Sequence, residues 1–223
     1  MITETTGWCG WCEVVEDCDV DVSTIGLFNP DNSQQHRNVP KDVLTAYNRR
    51  LGIRHIRYFA GPYRLQKDES SVIIQIDGAC RGNGSRYARG GWGVFFGPES
   101  QYNTWDLLPP GAPQTSTFAE LYSLMIALEM IHDELPLYPE TVFIASDSSY
   151  LVRVFTEYMP FWLDNRGINS RGQRVAHWTF LLDIKQIIDD LAFTGDRKME
   201  FKFWHVPREQ NAAADALANR AFN

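Results

Sequence analysis

At 223 residues, with 44% hydrophobic and 22% charged positions, the chain has the composition of an ordinary soluble globular protein. That length suits one full domain with an extension, or two small domains. It holds no apolar run long enough to cross a bilayer. A formal net charge of −7 excludes a uniform polycation that grips nucleic acid over its whole surface.

In chain order, residues 1–70 show little periodicity. Pro30-Asp31-Asn32-Ser33 marks a loop, and Pro40 opens a predicted helix through Val43, Leu44 and Tyr47. Arg54 to Phe59 alternates as a short strand broken by Gly61-Pro62, and Gln66 to Ser71 is a polar linker. Beyond it the pattern sharpens. Ser71 to Ile76 is a buried-strand run ending in Asp77-Gly78, and a glycine-bracketed loop leads to a second strand at Trp92 to Phe96. Tyr102 to Leu107 is a third strand, stopped by Pro109-Pro110. Leu121, Leu124, Leu128, Ile131 and Leu135 then fall at helical spacing over 117–135, with Thr117 or Ser116 as N-cap. Thr141 to Ala145 is a strand, Ser148 to Glu157 and Trp178 to Leu191 are helices, Met199 to Val206 a strand, and Asn211 to Ala221 a final helix. Hairpins followed by β-α-β crossovers predict an α/β fold, a mixed five-stranded sheet flanked by helices. The expected division is an N-terminal extension, 1–70, and a domain over 71–223.

Charge is segregated along the extension. Residues 1–36 carry seven acids and no Lys or Arg, whereas 37–67 carry eight basic residues and one acid, Asp42. With Tyr47, Tyr58, Phe59 and Tyr63 interleaved, the basic stretch could offer phosphate contacts and stacking surface. The alternative is that these rings pack the extension against the domain while the arginines stay solvated. The acidic start lacks the basic and apolar parts of a secretory signal and the arginines of a transit peptide, so an intracellular site is expected, nucleus or cytosol. Cys9 and Cys12, joined by Cys18 or His36, could begin a zinc site. A second C-x-x-C pair is missing, and free thiols are the other reading.

Four acids stand out by position. Asp77 and Asp147 end strands, Glu120 lies in the first turn of the intervening helix, and Asp215 sits in the final helix among alanines. Strand ends and following helices converge on one sheet edge, where sites in such folds are built. Carboxylates gathered there repel one another unless hard divalent cations are present, and two such ions can serve an in-line phosphodiester displacement. The bland alternative is that acids at strand ends and in first turns merely complement helix dipoles. Asp215 resists that reading, because a lone charge among small apolar residues is costly.

The segments IDGACRGNG, TSTFAELYSLMIAL, IASDSSYLVRVF and HVPREQNAAADALANRA resemble, in order and spacing, the four catalytic segments of type 1 ribonuclease H. The stretch WLDNRGINSRGQRVAHWTFLLDIKQIID resembles the substrate handle of that family, and the likeness covers about residues 72–222. It implies a ribonuclease H-like fold and cleavage of the RNA strand of RNA–DNA hybrids, leaving 5′-phosphate and 3′-hydroxyl ends. It further implies two Mg²⁺ ions, replaceable by Mn²⁺, on Asp77, Glu120, Asp147 and Asp215. Asp77 would bridge the ions, with Glu120 and Asp147 on one and Asp215 on the other. The positions implied for the hybrid's minor groove are Cys80, Arg81, Asn83, Ser116, Thr117 and Ser149, with Arg208 assisting. A monomer with no obligate protein partner is expected.

The chain departs from the pattern in places. Ser149 stands where many members carry Gln, Ser116 and Thr117 lie where an Asn is common, and Phe118 replaces a frequent Arg. The loop 207–211 is short and lacks a His that helps release product in bacterial members. His205 precedes it on the strand, and packing is the preferred role. The handle keeps Arg166, Arg171 and Arg174 but few lysines. Two rival readings stay open, a nuclease of different specificity on this fold and a non-catalytic nucleic-acid-binding protein that kept the acids.

Overall fold

The structure is a computed structural model, described for residues 24–135, 137–193 and 198–223. Nine strands form one sheet among these residues. The strands are β1 (Ile25–Phe28), β2 (Thr45–Asn48), β3 (Ile53–Phe59), β4 (Leu65–Lys67), β5 (Ser71–Arg81), β6 (Arg89–Phe95), β7 (Thr104–Leu107), β8 (Thr141–Ser146) and β9 (Glu200–His205). The helices are α1 (Ser116–Asp133), α2 (Ser149–Arg153), α3 (Met159–Asp164), α4 (Trp178–Ala192) and α5 (Ala212–Arg220). A π-turn, Val154–Tyr158, joins α2 to α3, so the helix expected to stop at Glu157 runs on to Asp164.

The five strands expected from 71 onward all form, but β5 runs past Asp77, expected at its end, to Arg81, and β6 begins at Arg89, because the two pair as a longer hairpin. β5 pairs antiparallel with β6, and β6 with β7, while β8 and β9 add in parallel. The extension is not an appendage beside this sheet. β1 pairs parallel with β9, covering that edge, and β3 pairs with the start of β5, followed by β2 and β4. Pairing an open edge satisfies its backbone groups and blunts its tendency to aggregate.

Three local expectations fail. The helix predicted after Pro40 is instead a turn leading into β2. Ala46 and Leu44 are buried at the alternation a strand requires, and the turn into β3 places Gly52 at φ 69°, open to glycine without strain. The 66–71 linker contributes to β4, and Asp68 then closes the turn by accepting from Ser70 N and Ser70 Oγ. The N-cap of α1 is Thr115, accepting from Phe118 N, because Ser116 and Thr117 are already helical.

Side chains alternate across the sheet. Val72, Ile74 and Ile76 of β5 enter the main core with Leu121, Leu124 and Leu128 of α1 and Leu181 and Ile184 of α4. Ile73 and Phe143 face the other side and pack with Phe28, Val39, Leu44 and Ile56, a second cluster built largely by the extension. Packing therefore claims most of the rings in the basic stretch. Phe59 borders this cluster and Tyr58 Oη lies 3.2 Å from the Gln66 amide, while Tyr63 is 94% exposed and Arg37, Arg49, Arg50 and Arg64 are exposed. Cys9, Cys12 and Cys18 lie outside the described residues. His36, the other zinc candidate, is buried with Nδ1 2.6 Å from Ser33 Oγ and its ring edge-on to Phe28.

Candidate active site

The position of Asp77 follows from unequal strand lengths. β8 is in register with β5 from Ser71 opposite Thr141 to Gln75 opposite Ala145, and ends at Ser146. β5 continues to Arg81, paired only with β6, where Asp77 faces Gly93. Asp147, just past the end of β8, therefore comes alongside Asp77 at the fork where the two strands part.

Glycines bring the other two acids in. A Cβ on Gly78 would stand 2.2 Å from Glu120 N and 2.4 Å from Ala119 C, so α1 lies directly on the β5 backbone and places Glu120 beside Asp77. A Cβ on Gly93 would stand 2.5 Å from Ala218 N and 2.8 Å from Ala214 O, which seats α5 on β6. The alanine-rich sequence around Asp215 is the packing face of that close contact, since Ala214 and Ala218 are fully buried. Asp215 itself is not enclosed; its side chain is 32% exposed at the rim.

The four acids line one cleft of about 460 Å³ with Cys80, Arg81, Ser116, Ser148, Arg208 and Asn219. Burial is the main force on Asp77, followed by the charges of Asp147, Asp215 and Glu120. Together they push its pKa up to about 7 against the lowering effect of a backbone hydrogen bond at Gly78. Glu120 is likewise raised to about 7, mainly by burial and then by Asp147, while a hydrogen bond from Ser148 opposes the rise.

Three of the acids are held by neighbours. Ser148 Oγ donates to Glu120 Oε2 at 2.5 Å while accepting from Leu151 N as the N-cap of α2. Asn211 Nδ2 donates to Asp147 Oδ1 and to the Ile76 carbonyl, both at 3.0 Å. Asp215 Oδ1 accepts from Arg208 Nη2 at 3.0 Å, and Oδ2 from Asn219 Nδ2 at 3.2 Å. With the carboxylates drawn toward these partners, no three Asp, Glu, His or Cys side chains among the described residues are gathered at metal-binding distance. The donor set nevertheless fits hard divalent cations. All four acids offer oxygen, and burial followed by mutual repulsion raises Asp77 and Glu120 to about 7, a cost that a cation would relieve.

Of the other predicted positions, Cys80, Arg81, Ser116 and Arg208 line the cleft. Cys80 Sγ donates to the Gln114 carbonyl at 3.4 Å, and Arg81 lies over the Phe222 ring at 4.5 Å. Asn83 is exposed on the β5–β6 loop, Thr117 is half-buried in α1, and Ser149 is exposed; none of the three lines the cleft. Its neighbour Ser148 occupies the place expected for Ser149. Ser148 and Asn211 were missed, although a Ser just before a helix is a capping signal and Asn211 stands in the quoted HVPREQN run. His205 ends β9 with Nε2 3.2 Å from the Asp147 carbonyl and lies outside the cleft. In the handle, Gly167 sits so close to Trp178 that a Cβ would come within 2.6 Å of the indole, and Arg166, Arg171 and Arg174 are exposed.

Fold and site thus define a mixed α/β protein with a four-carboxylate cleft of the kind that accepts divalent metal. The RNase H family profile matches residues 69–223. Ribonuclease H of Schizosaccharomyces pombe is 32% identical over 148 residues, covering 66% of this chain and 52% of that protein. Ribonuclease H of Pseudomonas paraeruginosa is 29% identical over 157 residues, covering 69% of this chain and 94% of the relative. Among solved structures, LC11-RNase H1 in complex with an RNA/DNA hybrid is 25% identical with a TM-score of 0.47, covering 67% of this chain and 94% of that one. RNase H1 of Halobacterium salinarum is 26% identical with a TM-score of 0.43, covering 68% and 97%. The chain belongs to the ribonuclease H family, whose members use divalent metals. It spans about half the length of the fission-yeast relative and nearly all of the bacterial one. No helix among the described residues is long and apolar enough to cross a membrane.

Proposed function

We propose that the chain is an endoribonuclease that hydrolyses the RNA strand of RNA–DNA hybrids with two divalent ions, Mg²⁺ or Mn²⁺. The observation that carries this reading is the convergence of Asp77, Glu120, Asp147 and Asp215, from four separate elements, on one cleft rimmed by hydroxyl and guanidinium groups. Relatives named ribonuclease H support the substrate class.

Asp77, whose carboxyl feels the charges of Asp147, Asp215 and Glu120, would be shared between the two ions. Glu120 and Asp147 would complete one ion's shell and Asp215 the other's. Bound there, the ions supply an activated water and stabilise the departing 3′-oxygen. The chain's own groups do the positioning. Ser148 and Asn211 fix the carboxylates of Glu120 and Asp147, which limits the disorder that would weaken ligation. Arg208 neutralises part of the charge of Asp215 and offers a guanidinium, 79% exposed, to a backbone phosphate. Ser116 and Arg81 present donors on the side where RNA 2′-hydroxyls and phosphates would run. Asn83, Thr117 and Ser149 are assigned outer contacts at most.

The test is strand and duplex selectivity. An end-labelled RNA strand should be cut in the hybrid, while double-stranded DNA, double-stranded RNA and single strands stay intact. Products should end in 5′-phosphate and 3′-hydroxyl. Cutting of double-stranded DNA at a comparable rate would replace this reading with a nuclease of different specificity.

A further inference from the structure

On the sheet face opposite α1, the extension and the domain enclose a cleft that shares no lining residue with the catalytic one. It measures about 310 Å³ and is walled by Lys41, Asp42, Arg54, Gln75, Trp204 and Gln210, among others. Lys41, Trp204 and Gln210 also line an adjoining cleft of about 440 Å³ that reaches Phe28 and Asp31.

Arg54 is the unusual member. Its Nε donates to the Phe96 carbonyl at 3.3 Å and its guanidinium lies over the Phe95 ring at 5.0 Å. Its Nη2 is buried and finds no acceptor among the described residues. Burial lowers the pKa of this group to about 10, with no neighbouring acid offsetting the cost. A buried charge without a partner is expensive, and a guanidinium keeps its proton, so its environment favours an anion. Lys41 adds a second cation at the mouth, held only by an exposed 3.5 Å contact with Asp31. Asp31, paired with Lys41, and Asp42, exposed at the same mouth, offset part of this charge, so the cation without an acid beside it is Arg54. Gln75 Nε2 donates to the Gln210 carbonyl at 2.5 Å, and Arg54 and Lys41 are the cationic donors of the lining. Half-buried Trp204 supplies an aromatic wall.

We infer that this cleft binds a phosphate monoester, its oxygens on Arg54 and Lys41 and an attached ring against Trp204. A guanidinium fork matches phosphate geometry. Free nucleotide and the 5′-phosphate end of an oligonucleotide share this chemistry.

The full chain, labelled with ¹⁵N and kept in chelator so that the catalytic acids hold no metal, is titrated with inorganic phosphate, adenosine monophosphate and a 5′-phosphorylated dinucleotide. The readouts are the Arg54 Nε–H and Trp204 indole N–H resonances. Both should shift and saturate. Lys41→Ala, a change at an exposed side chain, should weaken binding several-fold. Arg54→Lys should weaken it about tenfold, the scale of one charge-assisted hydrogen bond. If Arg54→Lys fails to fold, Lys41→Ala and the wild-type resonances still decide. Tighter binding of the nucleotide than of phosphate would place the ring on Trp204, and the dinucleotide arm identifies the source. Resonances that stay put, that shift equally with chloride at matched ionic strength, or that move only at Arg81 and Arg208 in the catalytic cleft would overturn the assignment. So would unchanged affinity in Lys41→Ala.

Discussion

Gly78→Ala tests how the site is assembled without touching a carboxylate. The new methyl carbon would stand 2.2 Å from Glu120 N and 2.4 Å from Ala119 C, where an ordinary contact begins near 3.4 Å. Both obstacles are backbone, so no side chain can swing aside. Helix α1 must retreat from β5 by about 1.2 Å, or β5 must bow by a similar amount. Overpacking of this sort costs on the order of 1–3 kcal/mol, read as a lower urea midpoint. The functional loss should be larger in proportion, because the retreat carries Glu120 away from Asp77, and a misplacement of about 1 Å can cost roughly 100-fold in rate. Urea unfolding and hybrid cleavage measured side by side give both numbers. A folded Gly78→Ala protein with stability and kcat/KM near wild type would refute the claim that this close approach sets the spacing of Asp77 and Glu120.

Asn211→Ala removes a buried amide that donates to Asp147 and to the Ile76 carbonyl, and should cost about 2 kcal/mol in urea unfolding along with most of the activity. Unchanged stability would show that those bonds carry little. Ser148→Ala should lose about 1 kcal/mol of helix capping and raise the pKa of Glu120 further, shifting the acid limb of the pH–rate profile upward. In chelator, wild-type stability relative to the Asp77→Asn, Glu120→Gln double variant should fall as pH rises from about 4 to about 7. The folded pKa values of Asp77 and Glu120 lie near 7 against 3.8 and 4.5, so the folded state binds more protons in that window. Saturating Mg²⁺ should reverse the trend. Thermal melts across pH check both arms, and a flat difference would mean that the acids are not crowded as described.

The elements from Ser71 onward were legible because burial on one or both faces imposes periodicity. β5, α1 and β8 each carry apolar residues at the spacing their geometry demands, and Asp77 and Asp147 follow directly on the two strand runs. The extension was illegible for the opposite reason. Val43, Leu44 and Tyr47 fit a helical period as well as a strand. The choice is made by pairing with β3 across a turn, which is a tertiary effect. Short strands such as β1 and β4 have too few residues to show alternation at all. Within the candidate site, the convergence of the four acids on one cleft is readable from their positions along the elements. Their supports were less so, since Ser148 and Asn211 act through hydrogen bonds between segments far apart in sequence. The alanines around Asp215 looked like an apolar surrounding that a lone acid must justify. They are instead the small residues that let α5 close onto Gly93, with the acid left at the rim.

Cutting an end-labelled hybrid with the purified protein and its Asp147→Asn variant, over a titration of Mg²⁺ and Mn²⁺, decides whether these four carboxylates form one metal-dependent nuclease centre for RNA–DNA hybrids. Cleavage of the RNA strand should require metal in the wild type and be absent in the folded variant at every concentration. Cleavage retained by the variant, or none by the wild type in either metal while it still binds the hybrid, would contradict that reading.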